Sequence, residues 1–271
     1  MMDRLRKALD PPPISRNANL LRATQENVDE SESFQHTAVL STTRTFEVDA
    51  RALRIAGVMP QDASGPAGHA FKMLRTQVLQ RMRVSGWNTL AIVSPTPGDG
   101  KTFTAINLAI AIAGDTNHTT LLVDFDLRNP SVHRRFGYDP EVGVEDCLRG
   151  MAPLAAALAK PSGYPKLLLL PARSSVNNSS DLLSSEATRS TVQEIRERYA
   201  NRIVLFDLPP VLGADDALAF APQVDAALVV IGEDRTDRDD LVKCFELLHH
   251  IPVIGTVLNQ SRSDPSRAYA Y

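Results

Sequence analysis

A glycine-rich turn followed by Lys101 and Thr102 is the part of this sequence best suited to bind phosphate. Residues 90–93 are apolar, residues 94–100 are rich in Pro and Gly, and apolar side chains recur at helical spacing through residues 103–113. A strand, a tight turn and a helix in this order direct backbone N–H groups and the positive end of the helix dipole at one anion. The predicted phosphate-binding residues are Pro97, Gly98, Asp99, Gly100, Lys101, Thr102 and Phe103.

Lys101 and Thr102 have separate expected roles in this turn. The Lys101 ammonium is expected to reach the β- and γ-phosphates of a nucleotide, and the Thr102 hydroxyl is expected to bind Mg²⁺. Pro95 stands where the general pattern of such loops has glycine, so an ordinary strand-to-helix turn is the alternative. Two acidic motifs farther along the chain favour the phosphate site.

The acidic motifs follow two other apolar runs. Asp124 and Asp126 come after residues 121–123, and Asp207 comes after residues 203–206. Alternation along an extended backbone sends Asp124 and Asp126 to the same side. Two carboxylates held together are costly unless a cation or a shared proton compensates their charge, so Mg²⁺ binding or proton abstraction is indicated. The alternative is that one of them caps a turn.

The elements that must position these residues alternate between strands and helices. Apolar runs near 90–93, 119–123, 166–170, 203–206, 226–231 and 253–258 are separated by helical stretches near 101–113, 186–199, 215–221 and 236–249, and a helix near 67–84 precedes them. Near-continuous apolar strands that alternate with helices predict an α/β fold, a parallel sheet flanked by helices on both faces. Ligands of such sheets bind at the carboxyl ends of the strands, where the acidic motifs fall.

The rest of the chain sets the expected domain boundaries. Residues 1–50 are polar and poor in large apolar side chains, which predicts a flexible arm; residues 51–260 form the predicted nucleotide-binding domain, and residues 261–271 a tail. No apolar run approaches the roughly 18 residues of a membrane span, so membrane association is expected through a partner. The net charge of −3 argues against a nucleic-acid partner.

Three motifs together resemble the bacterial tyrosine kinases of capsule and exopolysaccharide assembly. Residues 97–102 are similar to that family's Walker A motif, residues 124–128 to its second acidic motif and residues 207–210 to its Walker B motif. The resemblance covers about residues 55–260 and implies a P-loop fold of the ParA/MinD kind that uses ATP and Mg²⁺. It also implies an activity, protein-tyrosine autophosphorylation, in a cytoplasmic protein.

The resemblance implies a role for individual residues. Thr102, Asp126 and Asp207 would hold the metal ion, Lys101 would position ATP, and Asp124 would accept the proton of an incoming tyrosine. Asn259 would lie near the adenine. Tyr269 and Tyr271, in the last three residues of the chain, would be the phosphate acceptors.

The resemblance also implies partners. The expected partner is a membrane polysaccharide co-polymerase that controls chain length and holds the protein at the inner face of the membrane. A homo-oligomer is expected too, although His69, Lys72 and Arg75 stand where the family's oligomerisation helix has E-x-x-R-x-x-R. The alternatives are a ParA/MinD-like switch ATPase, whose signature lysine is replaced here by Thr96, and a nucleotide-gated regulator that transfers phosphate inefficiently.

Overall fold

A computed structural model describes residues 43–197 and 202–261, and its centre is a six-stranded parallel sheet. In chain order the described strands are β1 Thr45–Phe46, β2 Thr89–Val93, β3 Thr119–Asp124, β4 Lys160–Pro161, β5 Leu167–Leu170, β6 Arg202–Asp207, β7 Ala226–Gly232 and β8 Val253–Asn259. The order across the sheet is β5-β3-β6-β2-β7-β8, with every neighbouring pair parallel. The six strands predicted from the apolar runs are therefore confirmed.

The predicted helices are also present. In chain order the described helices are α1 Ala50–Ile55, α2 Pro66–Ser85, α3 Lys101–Ala113, α4 Val132–Arg135, α5 Val144–Leu148, α6 Leu154–Ala157, α7 Ser179–Ser184, α8 Glu186–Glu197, α9 Asp216–Phe220 and α10 Arg238–Leu247. The short helices α4 to α7 lack a full apolar repeat, and the sequence pattern did not predict them.

Both faces of the sheet are covered. Every residue of β2, β3 and β6 is buried, and successive side chains of a strand point to opposite faces. On one face Leu90 and Leu205 belong to the core cluster that also contains Ile106 of α3. On the other face the ring of Phe206 lies 5.3 Å from that of Phe125. The predicted sheet with helices on both faces is confirmed.

The described chain begins before the predicted domain boundary at residue 51. β1 pairs in parallel with β4, and the Phe46 ring stacks on Tyr138 at a centroid distance of 4.0 Å. The last residues of the predicted arm, 43–50, are thus part of the folded structure, which corrects the extent of that arm. The rest of the arm, and Tyr269 and Tyr271 in the tail, lie outside the described residues.

Helix α2 packs on the core of its own chain. Val78 and Met82 are buried, and Phe71 lies against the same core cluster. Arg75 Nη1 donates a hydrogen bond to the carbonyl oxygen of Ala111, 3.3 Å away, near the end of α3. One of the residues in the altered oligomerisation pattern therefore has a partner within the chain. None of the described helices is long and apolar enough to cross a bilayer.

Candidate functional site

The turn between β2 and α3 has the backbone of a phosphate-binding loop. Gly98 and Gly100 have φ angles of 90° and 94°, a left-handed conformation that glycine adopts without steric cost. Gly100 is the residue before α3, and no described side chain caps this helix. The N–H groups of its first turn therefore lack a partner within the helix and can bind an anion.

The buried side chain of Asp99 stabilises the loop through hydrogen bonds. It is fully buried; its Oδ2 accepts hydrogen bonds from the N–H and hydroxyl of Thr96, both at 3.0 Å, and its Oδ1 accepts one from the Thr236 hydroxyl at 2.9 Å. A carboxylate with three donors is well satisfied. The Asp99 side chain thus shapes the loop, and any contact of this residue with phosphate has to come from its backbone.

The end of β8 is tied to the same loop. Asn259 Nδ2 donates to the carbonyl oxygen of Asp99, and Gln260 Nε2 donates to that of Gly98, each at 2.9 Å. These bonds turn the two carbonyl groups toward β8. Asn259, nominated for the adenine, therefore also contacts the phosphate loop directly.

Lys101 and Asp126 form an ion pair at the carboxyl ends of the strands. Lys101 Nζ lies 2.6 Å from Asp126 Oδ2, and only 13% and 7% of the two side chains are exposed. Burial by itself favours neutral Lys101, but the charges of Asp207 and Asp126 outweigh it and hold the pKa of the ammonium above its ordinary value. Lys101 is therefore charged at neutral pH and lies among the predicted acidic residues.

Asp124 and Asp207 lie side by side beneath this ion pair. They are paired in register at the ends of β3 and β6, and both are fully buried. Asp124 Oδ2 accepts hydrogen bonds from the N–H groups of Ser131 and Val132, each at 3.0 Å. Burial, followed by the charge of Asp207, raises the pKa of Asp124 to about 8.

Asp207 has fewer hydrogen bonds than Asp124. Neither of its buried carboxylate oxygens has a hydrogen-bond partner in the described part of the chain, and the same is true of Asp124 Oδ1. Burial raises the pKa of Asp207, while the charge of Lys101 and the nearby Thr102 hydroxyl act in the opposite direction. A buried carboxylate without donors is costly, so the pair is suited to a cation.

A cleft of about 640 Å³ opens above these residues. Most of the predicted site lines it: Pro97, Gly98, Gly100, Lys101, Thr102, Phe103, Asp126 and Asn259. Asp99, Asp124 and Asp207 lie under its floor rather than on its surface. The structure therefore brings the three motifs together in two layers, with Lys101 and Asp126 above the buried acidic pair.

The residues of this cleft fit a magnesium ion. Among residues 43–197 and 202–261, no set of three His, Cys, Asp or Glu side chains forms a ready-made metal site. Mg²⁺, however, is usually held by one or two carboxylates together with phosphate oxygens and water. The unpartnered Asp207 oxygens, the Thr102 hydroxyl and Asp126 supply such ligands, so these three residues remain the candidate ligands.

Sequence reasoning missed several residues that hold the site together. Thr236 and Gln260 fasten the phosphate loop, and Ser131 donates to Asp124. Arg128, the last residue of the second acidic motif, forms an ion pair with Asp216 at a distance of 2.7 Å. Gln260 could have been predicted from the sequence, because it directly follows Asn259, the residue expected near the adenine. The other contacts join residues far apart in sequence without any local pattern.

Replacing Gly100 with alanine is expected to weaken nucleotide binding at least about tenfold. A Cβ at this position would overlap Asn259 Nδ2, and the φ of +94° is unfavourable for alanine, by roughly 1–2 kcal/mol. Gly150→Ala is the matched control, because its φ of +71° imposes similar strain with nothing within 4 Å of the added carbon. Calorimetric titration with Mg-ATP measures the effect. Equal affinities of the two variants for Mg-ATP would contradict this account of the loop.

Comparison with known proteins agrees with this geometry. Residues 90–270 match the family model of the CobQ/CobB/MinD/ParA nucleotide binding domain. The chain is 28% identical over 203 residues to the tyrosine-protein kinase YwqD of Bacillus subtilis, with 74% of this chain and 84% of YwqD covered. It is 29% identical over 216 residues to the succinoglycan biosynthesis transport protein ExoP of Rhizobium meliloti, with 77% of this chain covered.

The match to ExoP extends over only 27% of that longer protein. Among solved structures, the kinase domain of the Escherichia coli tyrosine kinase ETK is similar, with a TM-score of 0.65 and 26% identity over 76% of this chain and 80% of that domain. The resemblance to bacterial tyrosine kinases predicted from the motifs is thus confirmed. The phosphate loop, the acidic strand ends and the family match together show that this chain belongs to the CobQ/CobB/MinD/ParA family of nucleotide-binding domains.

Proposed function

We propose that this protein is an ATP-dependent protein-tyrosine autokinase that regulates chain length and export in exopolysaccharide or capsule assembly. One observation carries the proposal: the Lys101–Asp126 ion pair lines the cleft, and the in-register pair of Asp124 and Asp207 is buried at the same carboxyl ends of the strands. This arrangement joins a group that can bind phosphate with carboxylates that can bind a metal. Phosphoryl transfer depends mainly on such positioning and charge neutralisation.

The residues of the cleft have distinct proposed tasks. Lys101 and the free N–H groups of the first turn of α3 bind the phosphates of ATP, and Asn259 lies near the adenine. Thr102, Asp126 and Asp207 hold Mg²⁺. When bound, the ion supplies positive charge to the phosphate oxygens.

Asp124 is the proposed acceptor of the tyrosine proton. As the bond between the tyrosine oxygen and the γ-phosphorus forms, the bond from that phosphorus to the β-phosphate oxygen breaks and ADP leaves. Asp124 Oδ2 is held by two backbone N–H groups, whereas Oδ1 has no hydrogen-bond partner among the described residues. Oδ1 is therefore the oxygen that would take the proton.

The proposed acceptors are Tyr269 and Tyr271, reached from a neighbouring subunit of a homo-oligomer. The proposed partner is a membrane polysaccharide co-polymerase, which would place the cytoplasmic kinase at the inner face of the membrane. Support for the pathway comes from the motif resemblance and from a relative named for succinoglycan biosynthesis and transport. The matched region is a minor part of that relative, so the partner supplies the remaining functions in this proposal.

Peptide mass spectrometry of the full chain after incubation with Mg-ATP tests the proposal. We expect phosphate on Tyr269 or Tyr271 and its absence from a variant with both tyrosines replaced by phenylalanine. A third variant, Tyr138→Phe, is the matched control, because Tyr138 lies in the folded domain and stacks on Phe46. It should keep the tail phosphorylation.

A switch ATPase of the ParA/MinD kind is the second candidate, because the family model includes those proteins. Their signature lysine is replaced by Thr96, whose hydroxyl instead donates to Asp99 at 3.0 Å. Hydrolysis of ATP without any phosphotyrosine, even with the cytosolic segment of a co-polymerase added, would overturn the kinase proposal in favour of this one.

A further inference from the structure

Three basic side chains line the cleft, and only one of them is unpaired among the described residues. Lys101 pairs with Asp126 at 2.6 Å, and Arg128 pairs with Asp216 at 2.7 Å. The Arg135 guanidinium has no hydrogen bond or ion pair within residues 43–197 and 202–261, and its Nε is buried without a partner. A buried donor without an acceptor costs about 1–3 kcal/mol, so a ligand of opposite charge is indicated.

The backbone around Arg135 fixes this side chain near the phosphate-binding residues. Arg135 ends α4, and Asp124 holds the start of the same helix by accepting hydrogen bonds from Ser131 and Val132. The next residue, Phe136, is fully buried. The helix is therefore anchored at both ends.

We propose that Arg135 binds the terminal phosphate of ATP and neutralises the charge that develops on the transferred phosphoryl group. A guanidinium presents several N–H donors in a planar fork that matches phosphate oxygens. Lys101 and Arg128 already have carboxylate partners, so Arg135 is the cation in the cleft that can bind phosphate without first giving up an ion pair. The binding half of this inference, that Arg135 binds the terminal phosphate, rests on the nucleotide site alone. The transfer half, that Arg135 neutralises charge on the transferred phosphoryl group, rests on the proposed kinase function.

The difference in affinity between a non-hydrolysable ATP analogue and ADP tests the binding half, because only the analogue carries the terminal phosphate. Arg135→Gln is expected to weaken binding of the analogue by about tenfold or more, in line with the loss of a charge-assisted hydrogen bond, and to leave ADP affinity within about twofold. Arg135→Lys should restore part of the loss. Repeating the titrations in EDTA separates this effect from any effect on the metal ion.

Arg134→Gln is the matched control, because Arg134 is an exposed neighbour in the same helix and does not line the cleft. It should keep the wild-type preference for the analogue over ADP. Equal losses for both nucleotides in Arg135→Gln, together with a lower melting temperature, would show a structural role and overturn the inference. Unchanged affinities would overturn it as well.

The transfer half has its own measurement. At saturating Mg-ATP, Arg135→Gln should slow single-turnover phosphorylation of tyrosine about a hundredfold or more. If the wild-type protein phosphorylates no tyrosine, the kinase proposal fails, and the comparison of the ATP analogue with ADP still decides the role of Arg135. If the wild type phosphorylates tyrosine and Arg135→Gln does so at an equal rate, only the inference about Arg135 fails.

Discussion

Lys101→Met is expected to slow single-turnover phosphotransfer by about a hundredfold or more while the fold persists. The substitution keeps an unbranched side chain of similar length but removes the ammonium group that lies 2.6 Å from Asp126. Removing one preorganised cation from a phosphoryl-transfer site typically costs several kcal/mol of transition-state stabilisation. Rapid-quench measurement of phosphate transfer from labelled ATP gives the rate, and circular dichroism checks the fold.

The control for Lys101→Met is Lys243→Met, which removes an equal charge from the exposed face of α10. It should leave both the rate and the melting temperature unchanged. Lys101→Met also leaves Asp126 without its ion-pair partner, with only the N–H of Asn129 donating to its other oxygen. A small loss of stability is therefore expected as well. Undiminished turnover in Lys101→Met would refute the role assigned to this residue.

Asp207→Asn is expected to stabilise the ligand-free protein and to abolish the Mg²⁺-dependent part of its ATP affinity. The wild-type carboxylate is fully buried, has no hydrogen-bond partner in the described chain and lies in register with Asp124. An amide removes one of two neighbouring negative charges and adds N–H donors. A gain of about 1–2 kcal/mol corresponds to a rise of about 3–6 °C in melting temperature for a domain of this size.

The pH dependence of this gain has a definite sign. Burial raises the pKa of Asp207 in the folded protein above its unfolded value, so the folded state binds this proton more tightly than the unfolded state does. The stability of the wild type therefore falls as the pH rises above the unfolded pKa, because the charged form is the costly one. The stabilisation by Asp207→Asn should accordingly be larger at pH 8 than at pH 5.

Thermal melts at both pH values and ATP titrations with and without Mg²⁺ measure the two effects of Asp207→Asn. Asp62→Asn, at an exposed position, is the control and should change neither quantity. A lower melting temperature for Asp207→Asn would contradict the claim that this carboxylate is strained in the ligand-free state. Mg²⁺-dependent ATP affinity equal to that of the wild type would remove Asp207 from the metal site.

The parts of the structure that the sequence predicted are those with a local signal. Apolar strands such as residues 203–206 and the helix that begins at Lys101 repeat at a recognisable period, and both are where the pattern put them. The strand-end carboxylates were found because strands of a parallel sheet end on the same side. That rule places Asp124 and Asp207 at the same edge of the sheet, whereas their pairing side by side depends on β3 and β6 being neighbours.

What the sequence could not predict depends on contacts between distant residues. β1 and β4 are two residues long, too short for any periodicity, and they join Thr45 to Lys160. The two layers of the site were also missed, because alternation gives the direction of a side chain but not its depth. The sequence indicated that Asp124 could accept a proton, but not that its side chain is fully buried and held by two backbone N–H groups.

The attachment of β8 to the phosphate loop has a mechanical consequence. Asn259 and Gln260 each donate to a carbonyl group of that loop, and the described chain ends at the next residue, Ser261. A force applied at Ser261 therefore acts on Gly98 and Asp99 through these two hydrogen bonds, as well as on β7, with which Asn259 is paired. The nucleotide loop and Ser261, the first residue of the predicted tail, are therefore mechanically coupled.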